Sequence, residues 1–293
     1  MGGIYWLASY PKSGNTWLRA FLHNLWADGD APIDINDLRT GSIASARGWI
    51  DEVLGFDSAD LTNDEIDRLR PAVYSWSRND KEMSYHKIHD AYSFLVNGEP
   101  LVSREGTLGA VYLIRNPLDI VASIANHMNF TLDRAISFIG EEAASFASKP
   151  SRLHPQVHHR VLSWSAHVAS WIDAAGLRCE IVRYEDMLGR PTETFGRIAR
   201  FLEVPTDAAR VEKAIRFSDF AELRRQEAEG GFTERPDHTA SFFRRGEAGA
   251  WIDTLTPDQV ARIVADHGPM MRRVGYLDST GNPLERPACM RSA

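Results

Sequence analysis

From residue 4 to residue 9 the chain is apolar and aromatic, the pattern of a buried strand. The run breaks at Tyr10-Pro11-Lys12-Ser13-Gly14-Asn15, where proline, glycine and asparagine suit the backbone angles of a tight turn. From Thr16 the pattern turns helical, with Trp17, Phe21 and Leu25 spaced four apart. Strand-like runs recur at 85–89, 110–115 and 180–184, with helical stretches between them. This alternation predicts an α/β fold, a parallel β-sheet flanked by helices, with a P-loop-like turn after the first strand. There are no repeats or low-complexity runs, and residues 1–293 read as a single domain.

Several helix ends are written into the pattern. Thr62-Asn-Asp-Glu65 is a capping box, with Leu61 and Ile66 at the flanking staple positions, and Pro71 is expected to stop that helix. Asn116 before Pro117 is an N-cap with proline at the first helical position, and Thr256-Pro257-Asp258-Gln259 repeats the logic. Residues 156–175 read as one helix ended by Gly176. Residues 27–60 and 229–250 read as loops, the second as a lid because glycines there alternate with Phe232, Phe242, Phe243, Arg235, Arg244 and Arg245.

A strand, a turn with one lysine and one glycine, and a helix N-terminus together form a device for holding an anion. The first N–H groups of a helix lack intrahelical partners and point at the loop. Lys12 adds a full charge, and Ser13 and Thr16 add hydroxyl donors. A nucleotide-triphosphate loop places its lysine after the second glycine; here the lysine precedes the glycine, and no Gly-Lys-Ser/Thr occurs anywhere in the chain. The second anion-binding candidate is Arg115, at the end of a strand, followed by a helix on which Ser123 shares a face with Asn116 and with Asp119 or Ile120. Ligands of open α/β sheets bind at the carboxyl ends of the strands.

Composition narrows the partners. A net charge of −7 argues against broad nucleic-acid binding while leaving room for a local basic cluster. Two cysteines, Cys179 and Cys289, make no disulfide framework or metal spacing and suit a reducing, cytoplasmic setting. No segment approaches the roughly 18 apolar residues of a membrane span, and no basic leader precedes the first strand. His154 and His158 have zinc-like spacing beside His159, but Pro155 and the lack of a nearby carboxylate or cysteine argue against a metal, and none is expected.

The loop Tyr10-Pro11-Lys12-Ser13-Gly14-Asn15-Thr16-Trp17 resembles the 5′-phosphosulfate loop of the sulfotransferases that use 3′-phosphoadenosine 5′-phosphosulfate, PAPS. Further matches follow in that family's order. Arg115-Asn-Pro-x-Asp119, with Ser123 eight residues after the arginine, resembles the 3′-phosphate site. Lys87-Ile-His89 resembles the element carrying the catalytic base, Tyr184-Glu-Asp-Met187 the element that contacts adenine, and Ser218-Asp-Phe220-Ala-Glu-Leu the segment on adenine's other side. Arg244-Arg245-Gly246, then Gly249-Ala-Trp251, resembles the C-terminal Arg-Lys-Gly…Gly-Asp-Trp motif, with Arg245 for lysine and Ala250 for aspartate. The likeness covers about residues 4–256, and the opening is similar to bacterial members, including those that sulfate glycopeptide antibiotics.

The resemblance implies a PAPS-dependent transfer of a sulfuryl group to a hydroxyl of a small-molecule or natural-product acceptor. It implies His89 as general base, Lys12 at the leaving oxygen, Lys87 at the sulfonate and Ser123 as a holder of the lysine. Ser13, Gly14, Asn15 and Thr16 would line the phosphosulfate. Trp17, Tyr184, Ser218 and Phe220 would surround adenine, and Arg115, Arg244, Arg245 and Gly246 would hold the 3′-phosphate. Loops 27–60, 71–82 and 229–243 would shape the acceptor pocket, with Trp49, Trp76, Tyr92 and Phe94 as lining candidates. A homodimer is compatible with the likeness, although the C-terminal dimer motif of the animal cytosolic enzymes has no match. A kinase-like phosphotransferase and a non-catalytic nucleotide-binding protein are the alternatives; the absent Gly-Lys-Ser/Thr weighs against the first, and Lys12 with His89 against the second.

Overall fold

A computed structural model describes residues 2–147 and 153–284; Cys289 lies outside the described residues. The chain forms two compact units, Met1–Tyr10, Thr40–Tyr112 and Glu141–Ile181 in one, and Pro11–Arg39, Leu113–Gly140 and Val182–Ala293 in the other. In chain order the elements are β1 (Gly3–Ser9), α1 (Asn15–Ala27), α2 (Arg47–Leu54), α3 (Asn63–Trp76), β2 (Met83–Ile88), β3 (Thr107–Ile114), α4 (Pro117–Met128) and α5 (Leu132–Gly140). There follow β4 (Ser145–Phe146), β5 (His159–Arg160), α6 (Trp164–Ile172), β6 (Cys179–Arg183), α7 (Tyr184–Gly189), α8 (Pro191–Phe201), α9 (Ala208–Phe217), α10 (Phe220–Gly230) and α11 (Pro257–Arg273).

The first unit is built on the parallel sheet β2-β1-β3-β6. β1 runs parallel to β2 with Gly3 opposite Met83 and Ala8 opposite Ile88. A strand with a neighbour on each side and helices over the sheet has no face for water, so β1 reads as an apolar run; all seven of its residues are buried. Trp6 fills the core, and its Nε1 donates to Thr107 Oγ1 at 2.9 Å. α3 opens on the expected capping box: Glu65 N–H donates to Thr62 Oγ1 at 3.3 Å, and Thr62 N–H to Glu65 Oε2 at 2.8 Å.

Three expectations are corrected in this unit. Pro71 does not stop α3, which continues to Trp76. Proline removes one helical donor, but Arg70, Val73 and Tyr74 are buried, and that packing carries the helix through. The segment 27–60 is not all loop, because Arg47 donates to His154 O and Ser58 O and anchors α2 within it. Residues 156–175 are not one helix. His159 and Arg160 pair with Phe146 and Ser145, and α6 starts only at Trp164, where Ser163 accepts from Ala166 N–H. A serine N-cap outweighs a helical pattern upstream of it.

Arg70 ties this unit together. Its guanidinium, fully buried, grips Asp90 at 3.0 and 2.6 Å and reaches Asp67 at 3.3 Å. Arg160 adds its Nε to Asp67 at 2.8 Å and its backbone N–H to Asp90 at 2.9 Å. Burial alone would raise the Asp90 carboxyl; Arg70 outweighs it and holds the group at about 2.

The second unit is helical. α1 buries Leu18, Phe21, Leu22 and Leu25, and Phe21 meets Phe195 of α8 at 4.3 Å between ring centroids. Asn116 caps α4 by accepting from Leu118 N–H at 3.1 Å. The buried Glu185 of α7 accepts from Asn116 N–H at 3.0 Å and from Tyr276 OH at 2.8 Å, which fixes α7 against the start of α4.

Replacing Arg70 by alanine strands buried Asp90 and is expected to cost about 3–5 kcal/mol of stability in urea unfolding. Because the Asp90 pKa is depressed, the wild-type contribution is complete above the unfolded value of about 3.9. It is lost as pH falls towards about 2. An Arg70→Ala protein should therefore show a shallower acid dependence than wild type between those values.

Candidate active site

The second unit brings together the residues of the anion-binding loop. α1 begins directly after Gly14, which sits at φ 98° and contributes no capping side chain. A Cβ at Gly14 would lie 2.7 Å from the Tyr184 ring, so both the angle and the close approach require glycine. The Trp17 ring meets Tyr184 edge-on at 5.7 Å and Phe195 at 5.3 Å. Arg115 stacks its guanidinium 4.2 Å from the Tyr184 ring centroid and donates to Lys12 O at 3.3 Å and Glu247 O at 3.2 Å. Lys12 is itself in the left-handed region, at φ 70°, and its ammonium lies 3.7 Å from the Phe242 ring centroid.

The segment after α10 is anchored from three sides of this unit. Phe232 and Phe243 are buried with Ala20, Ile35 and Leu223, and Trp17, Phe220 and Phe242 pack against them. Buried Glu227 accepts from the N–H groups of Phe242 and Phe243 at 2.6 and 2.9 Å. Asp119 accepts from Gly249 N–H at 2.9 Å and Trp251 N–H at 3.0 Å. Burial pushes the Asp119 carboxyl up, opposed by Arg115 and by those two donors. Gly246 lies so close to Phe220 that a Cβ would come within 2.2 Å of its ring.

The other expected residues of this unit are more dispersed in their bonding. Ser218 is buried and donates back to Ala214 O at 2.8 Å, which leaves its oxygen as an acceptor. Arg245 donates to Ala250 O at 3.1 Å and Thr254 Oγ1 at 3.3 Å. The charge on Arg244 is disfavoured by desolvation and then by Arg245 and Arg115. Ser123 sits half-buried on α4. Ser13 Oγ and Trp17 Nε1 are buried without a hydrogen-bond partner among the described residues. Two orphaned donors, a glycine cradle and converging positive charges fit a bound anion.

In the first unit His89 follows the last residue of β2. Its Nδ1 lies 2.9 Å from Ser9 O and 3.2 Å from Ser9 Oγ. A carbonyl only accepts, so Nδ1 carries the proton and Nε2 presents a lone pair. Burial lowers the His89 pKa well below the usual histidine value, and Lys87 adds to this. Lys87 lies in β2, two residues before His89. His86 is buried: Trp49 stacks on it at 4.3 Å, and its Nδ1 donates to Ser42 O at 2.8 Å. Trp76 and Phe94 are exposed, and Tyr92 is buried with its ring 5.6 Å from Trp171. His158 lies 3.6 Å from Asp67, and His159 bonds Gln156 at 2.8 Å.

The profile of the sulfotransferase domain family matches residues 4–275. The chain belongs to that family. Relatives of this sulfotransferase include cytosolic sulfotransferase 17 of Arabidopsis thaliana, 25% identical over 288 residues that span 94% of this chain and 76% of the relative. Sulfotransferase 1A1 of Canis lupus familiaris is 23% identical, over 92% of this chain and 83% of its own. Among solved structures, mouse sulfotransferase SULT7A1 complexed with PAP superposes with a TM-score of 0.59 at 18% identity, covering 95% of this chain and 87% of that one. That likeness supports the sulfotransferase fold, with its parallel sheet and flanking helices.

The grip of Asp119 on the Gly249 and Trp251 amides is not legible in the sequence, because only the folded chain brings those amides to it. Asp119→Asn removes one of two acceptor oxygens. Hydrogen exchange at Gly249 and Trp251 should speed up by the loss of one charge-assisted bond, about 1.5–3 kcal/mol of local protection, with global unfolding little changed.

Proposed function

We propose that this sulfotransferase uses PAPS and transfers its sulfuryl group to a hydroxyl of a small-molecule or natural-product acceptor, releasing adenosine 3′,5′-bisphosphate. PAPS, when bound, supplies the activated sulfuryl group and a phosphate leaving group. The observation that carries the reading is the pinned ring of His89, whose Nδ1 proton is committed to Ser9 and whose Nε2 is left to accept. A neutral imidazole with its pKa held down by burial is ready to take a hydroxyl proton at neutral pH. The family assignment and the absent Gly-Lys-Ser/Thr together weigh against the kinase-like alternative.

In this reading Lys12 and the N-terminus of α1 stabilise charge on the leaving phosphate. Ser13, Gly14, Asn15 and Thr16 line that phosphate, and Lys87 attends the sulfonate. Arg115, Ser123, Arg244, Arg245 and Gly246 hold the 3′-phosphate, and Trp17, Tyr184, Ser218 and Phe220 enclose the base. The convergence of Arg115, Arg244 and Arg245 supports this, because an anion relieves their mutual repulsion. The family match runs through both compact units, which supports one sulfotransferase domain over residues 1–293. The plant relatives are cytosolic sulfotransferases, which supports a cytoplasmic setting; among the described residues no helix is long and apolar enough to cross a membrane.

Calorimetry tests the nucleotide. PAPS should bind far more tightly than adenosine 5′-phosphosulfate, and Arg115→Ala should remove about 2–5 kcal/mol of that affinity; equal affinity for the two nucleotides overturns the 3′-phosphate assignment. Once sulfur-labelled PAPS has identified an acceptor, His89→Ala should lower turnover by roughly 10²–10⁴ with cofactor affinity retained. Near-normal turnover would mean that another group is the base.

A further inference from the structure

His89 lies one residue beyond β2, where the sheet ladder no longer holds the backbone. The polar groups of residues 89–92 must therefore find partners elsewhere. Arg160 O accepts from Ala91 N–H at 2.7 Å, and α6 supplies three further partners from one face, because His167, Ser170 and Trp171 stand at positions i, i+3 and i+4. His167 Nε2 donates to His89 O at 3.2 Å, Trp171 Nε1 donates to Asp90 O at 3.1 Å, and Ser170 Oγ accepts from Tyr92 N–H at 3.0 Å.

His167 is itself oriented. The Tyr112 hydroxyl donates to its Nδ1 at 2.8 Å, and the two rings stack with centroids 5.6 Å apart. The same Tyr112 ring stacks on Trp171 at 5.7 Å and 12°. His167 is fully buried, and burial pushes its pKa down to about 4. It therefore stays neutral near pH 7, with its one proton on Nε2, where the His89 carbonyl needs a donor.

We infer that His167 is a positioning residue for sulfuryl transfer: backed by Tyr112, it fixes the peptide of His89 and so the direction in which the His89 Nε2 lone pair points. The inference rests on His89 being the base, so its test reads the His89 ring separately from turnover. The variants are His167→Leu, which removes the donor, His167→Gln, whose carboxamide offers an N–H to His89 O and an oxygen to Tyr112, and Tyr112→Phe, which removes one oxygen. The measurements are kcat, KM for PAPS, and nitrogen-15 imidazole spectra of His89.

In His167→Leu, kcat should fall about 10- to 100-fold, the scale of a misplacement near 1 Å, while KM for PAPS holds. His167→Gln should restore most of kcat and the wild-type His89 spectrum. Tyr112→Phe should give a smaller fall in kcat of the same kind, and it carries the test if His167→Leu does not fold. A loss that His167→Gln leaves unrepaired, or a His89 spectrum and kcat that are unchanged in the folded variants, overturns the inference. A displaced His89 spectrum with unchanged kcat would leave His167 as the residue that orients His89 and would overturn the base assignment instead.

Discussion

Burying the ion pair of Arg70 and Asp90 is the constraint on which the first unit turns. Neither charge survives removal from water unless nearly every lone pair and proton is met. That requirement draws in Asp67 and the Arg160 backbone, and with Arg160 the short β4–β5 pairing. Asp90 is the neighbour of His89 in the chain. The same bonds that make the ion pair tolerable thus hold still the stretch of backbone carrying the proposed base.

The second unit solves the opposite problem. Here positive groups are gathered, and after desolvation Arg245 and Arg115 both disfavour the charge on Arg244. Lys12 rests on an aromatic ring and Arg115 on another, contacts that hold a cation without cancelling its charge. The backbone carbonyls they use are neutral as well. Asp119 accepts from two amides of the segment after α10.

Much of this was legible in the sequence because it was local. β1 and β3 were readable since each is a short apolar run, and the capping boxes at Thr62 and Thr256 since their signal spans four residues. Gly14 and Lys12 could be read as a loop because turn chemistry is short-range. What escaped was decided at a distance. The sequence could not say that packing around Val73 and Tyr74 would carry α3 past Pro71, or that Ser163 would displace the start of α6. Nor did it single out His167, a histidine within an apolar helix stripe. Its meaning depends on a tyrosine 55 residues away in sequence and on a carbonyl 78 residues away.

Lys12 has a consequence of its own. At φ 70° it occupies a backbone state natural to glycine and costing other residues roughly 1–2 kcal/mol. A glycine would sit there more comfortably and would carry no ammonium. In this loop the ammonium and the strained backbone come together, so replacing Lys12 by glycine would relieve the strain and remove the charge in one step.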